Sequence, residues 1–153
     1  MAALEFRKAT LDDLPAIVGM LAEDILSGAR EDPSLPLAPG YRAAFDAIAA
    51  DPNQYLMVAV DGDRVVGSLQ LTLLPGLSKK GAWRGIVEAV RIAADRRGEG
   101  LGERLMGWAV EKCRAEGCVV LQLTTDNRRA AAHRFYERIG FVQSHQGYKK
   151  DLT

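Results

Sequence analysis

Arg96-Arg97-Gly98-Glu99-Gly100-Leu101-Gly102 separates a strand pattern from a helix pattern, and its reading decides the fold. Before it, Ala82 to Ala94 alternates as a strand, with Ile86, Glu88, Val90 and Ile92 on one face. After it, Gly98 to Glu116 reads as a helix with the stripe Leu101, Leu105, Ala109 and Cys113, widened by Met106 and Val110 and stopped by Gly117. The first N–H groups of a helix lack internal partners, and its dipole adds about half a positive charge there, so this turn is suited to an anion. Glycines let a phosphate approach the backbone closely. Arg96 and Arg97 add donors, while Glu99 opposes them unless its carboxylate points away. A tight strand-to-helix turn with solvated charges is the alternative.

Outward from the turn, the pattern is α/β. Leu4, Phe6 and Ala9 begin a short strand, and Thr10, Asp12 and Asp13 offer cap chemistry for a helix carrying Leu14, Ile17, Val18, Leu21 and Ile25. Residues 28–40 hold three prolines and break the periodicity as a loop, either a lid or a plain connector, before a helix with Tyr41, Phe45 and Ile48. Tyr55 to Val60 and Arg64 to Leu74 form a hairpin around Asp61-Gly62-Asp63. Cys118 to Thr125 reads as a buried strand and Arg128 to Ile139 as a last helix. Phe141 to Leu152 can hold one or two closing strands.

Composition narrows the function. The chain has 153 residues, 48% apolar and 26% charged, which suits one soluble domain spanning residues 1–153. Twenty basic and twenty acidic residues cancel, so neither nucleic acid nor an anionic membrane is an expected partner. No apolar run approaches the roughly 20 residues of a spanning helix, and the N-terminus lacks a signal-peptide core; a cytoplasmic location is expected. Cys113 and Cys118 read as reduced thiols used as small hydrophobes, and His133 and His145 stand at no ligand spacing from them, so no metal is expected.

A dinucleotide site competes for the glycine turn, because strand, turn, helix and strand are present and Asp126 ends the next strand. Its G-x-G-x-x-G fingerprint fails, however: the third glycine, Gly102, comes one position early. Arg97-Gly98-Glu99-Gly100-Leu101-Gly102 instead resembles the Q/R-x-x-G-x-G/A signature of the GNAT superfamily of N-acetyltransferases. Ile86-Val87-Glu88-Ala89-Val90-Arg91-Ile92 is similar to that family's fourth strand, and Cys118 to Thr125 to its fifth. Ala132-His133-Arg134-Phe135-Tyr136-Glu137-Arg138-Ile139-Gly140-Phe141 resembles its A-x-x-F-Y-E-x-x-G-F end.

The resemblance implies a mixed, mostly antiparallel sheet of six to seven strands, splayed between the fourth and fifth and flanked by about four helices. It implies acetyl-coenzyme A as cosubstrate, with its pyrophosphate on Arg97, Gly98, Glu99, Gly100, Leu101 and Gly102. Its pantetheine would lie along Ile92, Ala93 and Ala94. The usual pantetheine-binding asparagine is replaced by Arg129; Asn127 stands two positions earlier and is carried as its substitute, beside Asp126 and Thr125.

Acetyl transfer to an amine needs a base and a proton for the departing thiolate. Glu88 is the candidate base, expected to be partly desolvated on an apolar strand face; a structural ion pair with Arg84, Arg91 or a tail lysine is its alternative. Glu31, Asp32 and Asp126 are less constrained bases. Tyr136 is the candidate acid, its ring packing beside Phe135 and Phe141, with His133 on the same helix face. The acceptor, a small-molecule or protein amine, is not legible, and a second copy in a homodimer is a further expected partner. A coenzyme A-binding sensor without turnover is the other function considered.

Overall fold

Five strands form one sheet in the order β1-β2-β3-β4-β5. A computed structural model of the chain describes residues 4–153. It divides into a unit ending at Gln122 and a unit from Leu123 to Thr153. In the first, β1 (Leu4–Lys8), β2 (Gln54–Asp61), β3 (Arg64–Leu74) and β4 (Arg84–Ile92) pair antiparallel in sequence order, and β5 (Val120–Gln122) adds parallel to β4. This mostly antiparallel sheet excludes the doubly wound parallel architecture that a dinucleotide site requires.

The start of α1 (Leu14–Ala22) is built from the acidic residues read as caps. Thr10 N–H donates to Asp13 Oδ2 at 2.7 Å, and Arg7 donates to both carboxylate oxygens at 2.6 and 3.0 Å. The Arg7 hydrogen bond holds the Asp13 carboxyl below its usual range against the opposing effect of burial. α1 buries Leu14, Ile17, Val18 and Met20, but it stops a turn before Ile25, which is 94% exposed. Gly28 closes beneath the helix end, where a Cβ would lie 2.1 Å from Ala22 O, and its N–H donates to Asp24 O. α2 (Pro39–Ala50) carries the expected stripe, and α3 (Ser78–Gly81) is one turn in which Lys79 and Lys80 have positive φ.

α4 (Leu101–Ala115) sits on β3 and β4 through the stripe read from the sequence, with Leu101, Leu105, Met106, Ala109 and Cys113 buried. Two sheet glycines make the approach possible. A Cβ on Gly67 would meet Ile92 Cδ1 and Leu105 Cδ1 at 3.0 Å, and one on Gly85 would lie 2.4 Å from Cys113 Sγ.

Three expectations fail at the C-terminal end. Among the described residues the sheet has five strands rather than six to seven, and the helices number five. The fifth strand covers only Val120–Gln122, pairing with β4 over Arg84–Ile86 alone, and it is not buried. Phe141–Leu152 forms no strand: Val142 to Thr153 is exposed throughout, so it has neither a ladder partner nor an apolar face to cover. The one element of the second unit is α5 (Ala130–Arg138). No helix among the described residues is long and apolar enough to cross a membrane.

The Gly85–Cys113 contact predicts a coupled stability effect. Gly85→Ala should cost roughly 1–3 kcal/mol by overpacking. In the Gly85→Ala/Cys113→Ala double variant, removing the sulfur should recover part of that loss, with a coupling of about 0.5 kcal/mol or more in urea unfolding.

Candidate functional site

The candidate site grows from the place where β4 parts from β5. Pairing ends at Ile86↔Gln122, so from Val87 to Ile92 the β4 edge facing away from β3 has no strand beside it among the described residues. On the other edge Ala93 N–H donates to Val66 O at 2.9 Å, which makes the adjacent Gly67↔Ile92 pair the non-bonded kind. The N–H and C=O of Ile92 therefore point into the open edge. Ala93 is buried and Ala94 exposed.

The strand is not regular. Ser68↔Arg91 is followed by Gln70↔Glu88, so Ala89 and Val90 together oppose Leu69. Ala89 takes φ 53, a left-handed conformation that costs an L-residue roughly 1–2 kcal/mol. This bulge shifts the period of two by one residue. Gly85 and Ile92, of opposite parity, both face α4, as their contacts with Cys113 and with the space beside Leu105 require. Arg91 lies on the other face, 3.6 Å from Asp24 Oδ2.

Glu88 is therefore not set among three aliphatics as the uninterrupted alternation implied. Its side chain is exposed, its cross-strand neighbour is Gln70, and beyond the bulge its face continues to Arg91. Gln70 is turned to Gln54, donating to Oε1 at 3.0 Å. Glu88 has no hydrogen-bond or ion-pair partner among the described residues, so the structural pairing with Arg84 or Arg91 is not made.

At the glycine turn, Gly98 and Gly100 have φ 81 and 80, with nothing within 4 Å of a Cβ built on either. Only glycine adopts this conformation without cost, and the space above the backbone is open. Gly100 begins α4 with no side-chain cap, and Arg104 N–H is the first to bond back, to Gly100 O at 3.2 Å. The N–H groups of Leu101, Gly102 and Glu103 thus precede the first helical bond. Arg96 is not a free donor: it binds Glu99 at 2.9 and 3.0 Å and Asp61 at 2.8 Å. The same pair turns the Glu99 carboxylate to its own partner. Arg97 is exposed and has no partner among the described residues. Uncapped N–H groups, open space over two glycines and one free guanidinium fit a pyrophosphate.

In the second unit, Tyr136 packs edge-to-face on Phe135 and Phe141, with ring centroids 5.1 and 5.8 Å away. His133 is committed within its own unit, Nε2 lying 3.0 Å from Asp126 O. Arg128 donates to the Asp126 carboxylate from its backbone and guanidinium, holding it well below the usual range. Asn127, exposed in that turn, is uncommitted among the described residues.

The proline-rich loop of the first unit is tied to α2. Asp32 N–H donates to Tyr41 Oη at 2.9 Å, and Tyr41 in turn donates to Glu31 at 2.7 Å. Both carboxylates considered there as bases are engaged: Glu31 accepts from Tyr41, and Asp32 Oδ1 accepts from the Ser34 N–H and hydroxyl. An open depression of about 410 Å³ is lined by Arg30, Asp32, Ala38, Gly40 and Tyr41. Sequence reasoning missed the bulge at Ala89 and the Asp61 anchor of Arg96. Glu88-Ala89-Val90 contains no glycine, proline or asparagine to signal a bulge, and Asp61 is 35 residues from Arg96.

The profile of the Acetyltransferase (GNAT) family matches residues 22–141. Aminoalkylphosphonate N-acetyltransferase of Salmonella typhimurium is 30% identical over 152 residues, covering 99% of this chain and 94% of its own. A crystal structure from Bacillus halodurans C-125, described as a transcriptional regulator, is 43% identical with a TM-score of 0.96, covering 98% of this chain and all of that one. An acetyltransferase of Trypanosoma brucei is 26% identical with a TM-score of 0.80, covering 98% of this chain and 100% of that one.

The bulge can be tested by stability. Ala89 is exposed, so backbone conformation dominates: Ala89→Val should cost roughly 1–3 kcal/mol. Ala89→Gly should stay within about 1 kcal/mol of the parent, relief of strain offsetting the entropy glycine adds to the unfolded chain. Equal urea midpoints for the two variants would remove the left-handed assignment.

Proposed function

Because the chain belongs to the acetyltransferase (GNAT) family, we propose that it transfers the acetyl group of acetyl-coenzyme A to the amine of a small molecule, directly and within a ternary complex. The observation that carries this reading is the uncapped start of α4, behind two left-handed glycines and the free Arg97, at the end of a strand with an open edge. We take the whole chain as one N-acetyltransferase domain, since the family match runs across the boundary at Leu123.

The roles follow from the chain's own groups. The backbone N–H groups of residues 97–102 and the Arg97 guanidinium hold the pyrophosphate, and Ile92, with Ala93 and Ala94 beside it, lines the pantetheine arm. Asn127 is assigned to the same arm. The bound cosubstrate supplies an acetyl group activated as a thioester. Glu88, exposed and unpaired, accepts the proton that the acceptor ammonium must lose, directly or through water. Tyr136 holds the proton that the leaving sulfur requires; this role rests on the A-x-x-F-Y-E-x-x-G-F resemblance.

For the acceptor we infer a small aliphatic amine carrying an anionic group. The support is the relative matched over nearly the full chain, which is named for aminoalkylphosphonates. Arg30, exposed and without a partner among the described residues, is assigned to that anionic group. The second reading, a coenzyme A-binding sensor without turnover, draws on the Bacillus halodurans structure described as a transcriptional regulator.

Release of free thiol over a panel of amines, with the product identified by mass spectrometry, separates the two. Turnover is expected with aminoalkylphosphonates; coenzyme A binding with no turnover on any amine would favour the sensor. Gly100→Val should weaken coenzyme A binding at least about tenfold by calorimetry, because a side chain would occupy the space through which the anion approaches. Unchanged affinity would sink the phosphate site. Glu88→Gln and Tyr136→Phe should each lower kcat by roughly 10²-fold or more while nearly retaining coenzyme A affinity. A parental kcat in either variant returns that residue to a structural role.

A further inference from the structure

The end of α4 brings two thiols together that the acetyl-transfer chemistry does not use. Cys118 N–H donates to Cys113 O at 2.9 Å and Gly117 N–H to Arg114 O at 3.1 Å, with Gly117 at φ 79. These are the two bonds of a Schellman reversal, a helix ending in which the residue beyond the glycine folds back onto the last turn. The side chains that meet in such a reversal are those of the two residues joined by the longer-range bond. Here both are cysteines, and both are free thiols. Burial and the adjacent Cys118 thiol push the Cys113 thiol up to about 12.

The two sulfurs differ in access. Cys113 is 4% exposed, with its sulfur seated over Gly85, whereas Cys118 is half-buried. The backbone bond between the two residues keeps their Cα atoms within the roughly 4.4–6.8 Å that a disulfide spans.

We propose that Cys113 and Cys118 form an intramolecular dithiol that a hydroperoxide converts reversibly into a disulfide. In the first step the Cys118 thiolate attacks a peroxide oxygen, the O–O bond breaks, and the departing oxygen takes up a proton, leaving a sulfenic acid on Cys118. In the second step Cys113 sulfur attacks Cys118 sulfur. The S–O bond breaks, and the hydroxide leaves as water with the Cys113 proton. With hydrogen peroxide the two thiols lose two electrons and two protons, and two waters form. Cys118 reacts first because it is the sulfur a solute reaches; Cys113 resolves it. The bond draws Cys113 sulfur from Gly85 toward Cys118, at the junction of α4 and the segment leading into β5.

The test uses the full chain and hydrogen peroxide, read by mass spectrometry without reduction. Trypsin cleaves after Arg114, between the cysteines, so the disulfide appears as two linked peptides. The expected result is an intact mass lower by two hydrogens, titratable thiols under denaturant falling from two to none, and recovery of both with dithiothreitol. In Cys113→Ser the Cys118 sulfenic acid should persist and be trapped by dimedone; in Cys118→Ser, Cys113 should stay reduced at the same dose. Cys113→Ala serves if the serine variant does not fold. Three outcomes overturn the proposal: sulfinic acid on Cys118 without a disulfide, a crosslink between chains, or two unmodified thiols at a dose that oxidises free glutathione.

Discussion

The structure of the first unit depends on how closely α4 can lie on the sheet. That distance is set by Gly67 and Gly85, which leave room for Leu105, Ile92 and the Cys113 sulfur where side chains would otherwise collide. With the helix seated, Leu101, Leu105, Met106 and Ala109 are withdrawn from water, each large side chain contributing about 1.5–3 kcal/mol. The same seat fixes the direction of the helix axis. The positive end of its dipole, with its unbonded N–H groups, is thereby held at the end of β4, where a carboxylate strand and an open edge are already present.

The bulge at Ala89 is the second constraint. A left-handed alanine is unfavourable alone, but the ladder with β3 resumes on both sides of it, from Glu88 back to Arg84 and from Arg91 to Ile92, and the chain cannot relax without breaking one of those runs. By adding a residue it rotates the end of β4, so Ile92 remains under α4 while Arg91 turns to Asp24.

Charge is distributed to leave particular groups uncommitted. Arg96 spans Asp61 and Glu99, tying the β2–β3 hairpin end to the glycine turn and neutralising the Glu99 carboxylate, which would otherwise repel an anion there. Exposed pairs of this kind contribute little to stability, so their effect is orientation. Arg128 engages Asp126 in the same way within the second unit. Arg97 and Glu88, the groups proposed to meet the phosphate and the proton, are both left unpaired among the described residues.

The sequence alone determined the features whose causes are local. The α4 stripe, the glycine stop at Gly117 and the two-residue hairpin turn at Gly62 follow from periodicity and backbone freedom within a few residues, and the structure contains each of them. The glycine turn and the aromatic end at Phe135-Tyr136 were legible because motif spacing is itself a statement about chain geometry. Tertiary structure decided the rest. An apolar run such as Cys118–Thr125 becomes strand only as far as a neighbour offers a ladder, and here β4 offers three residues. The tail from Val142 onward is exposed and forms no strand. Whether the face of Glu88 continued to Val90 and Ile92 or to Arg91 depended on one extra residue in β4. That residue is held by pairing with a strand about twenty positions earlier, and no residue type beside Glu88 records it.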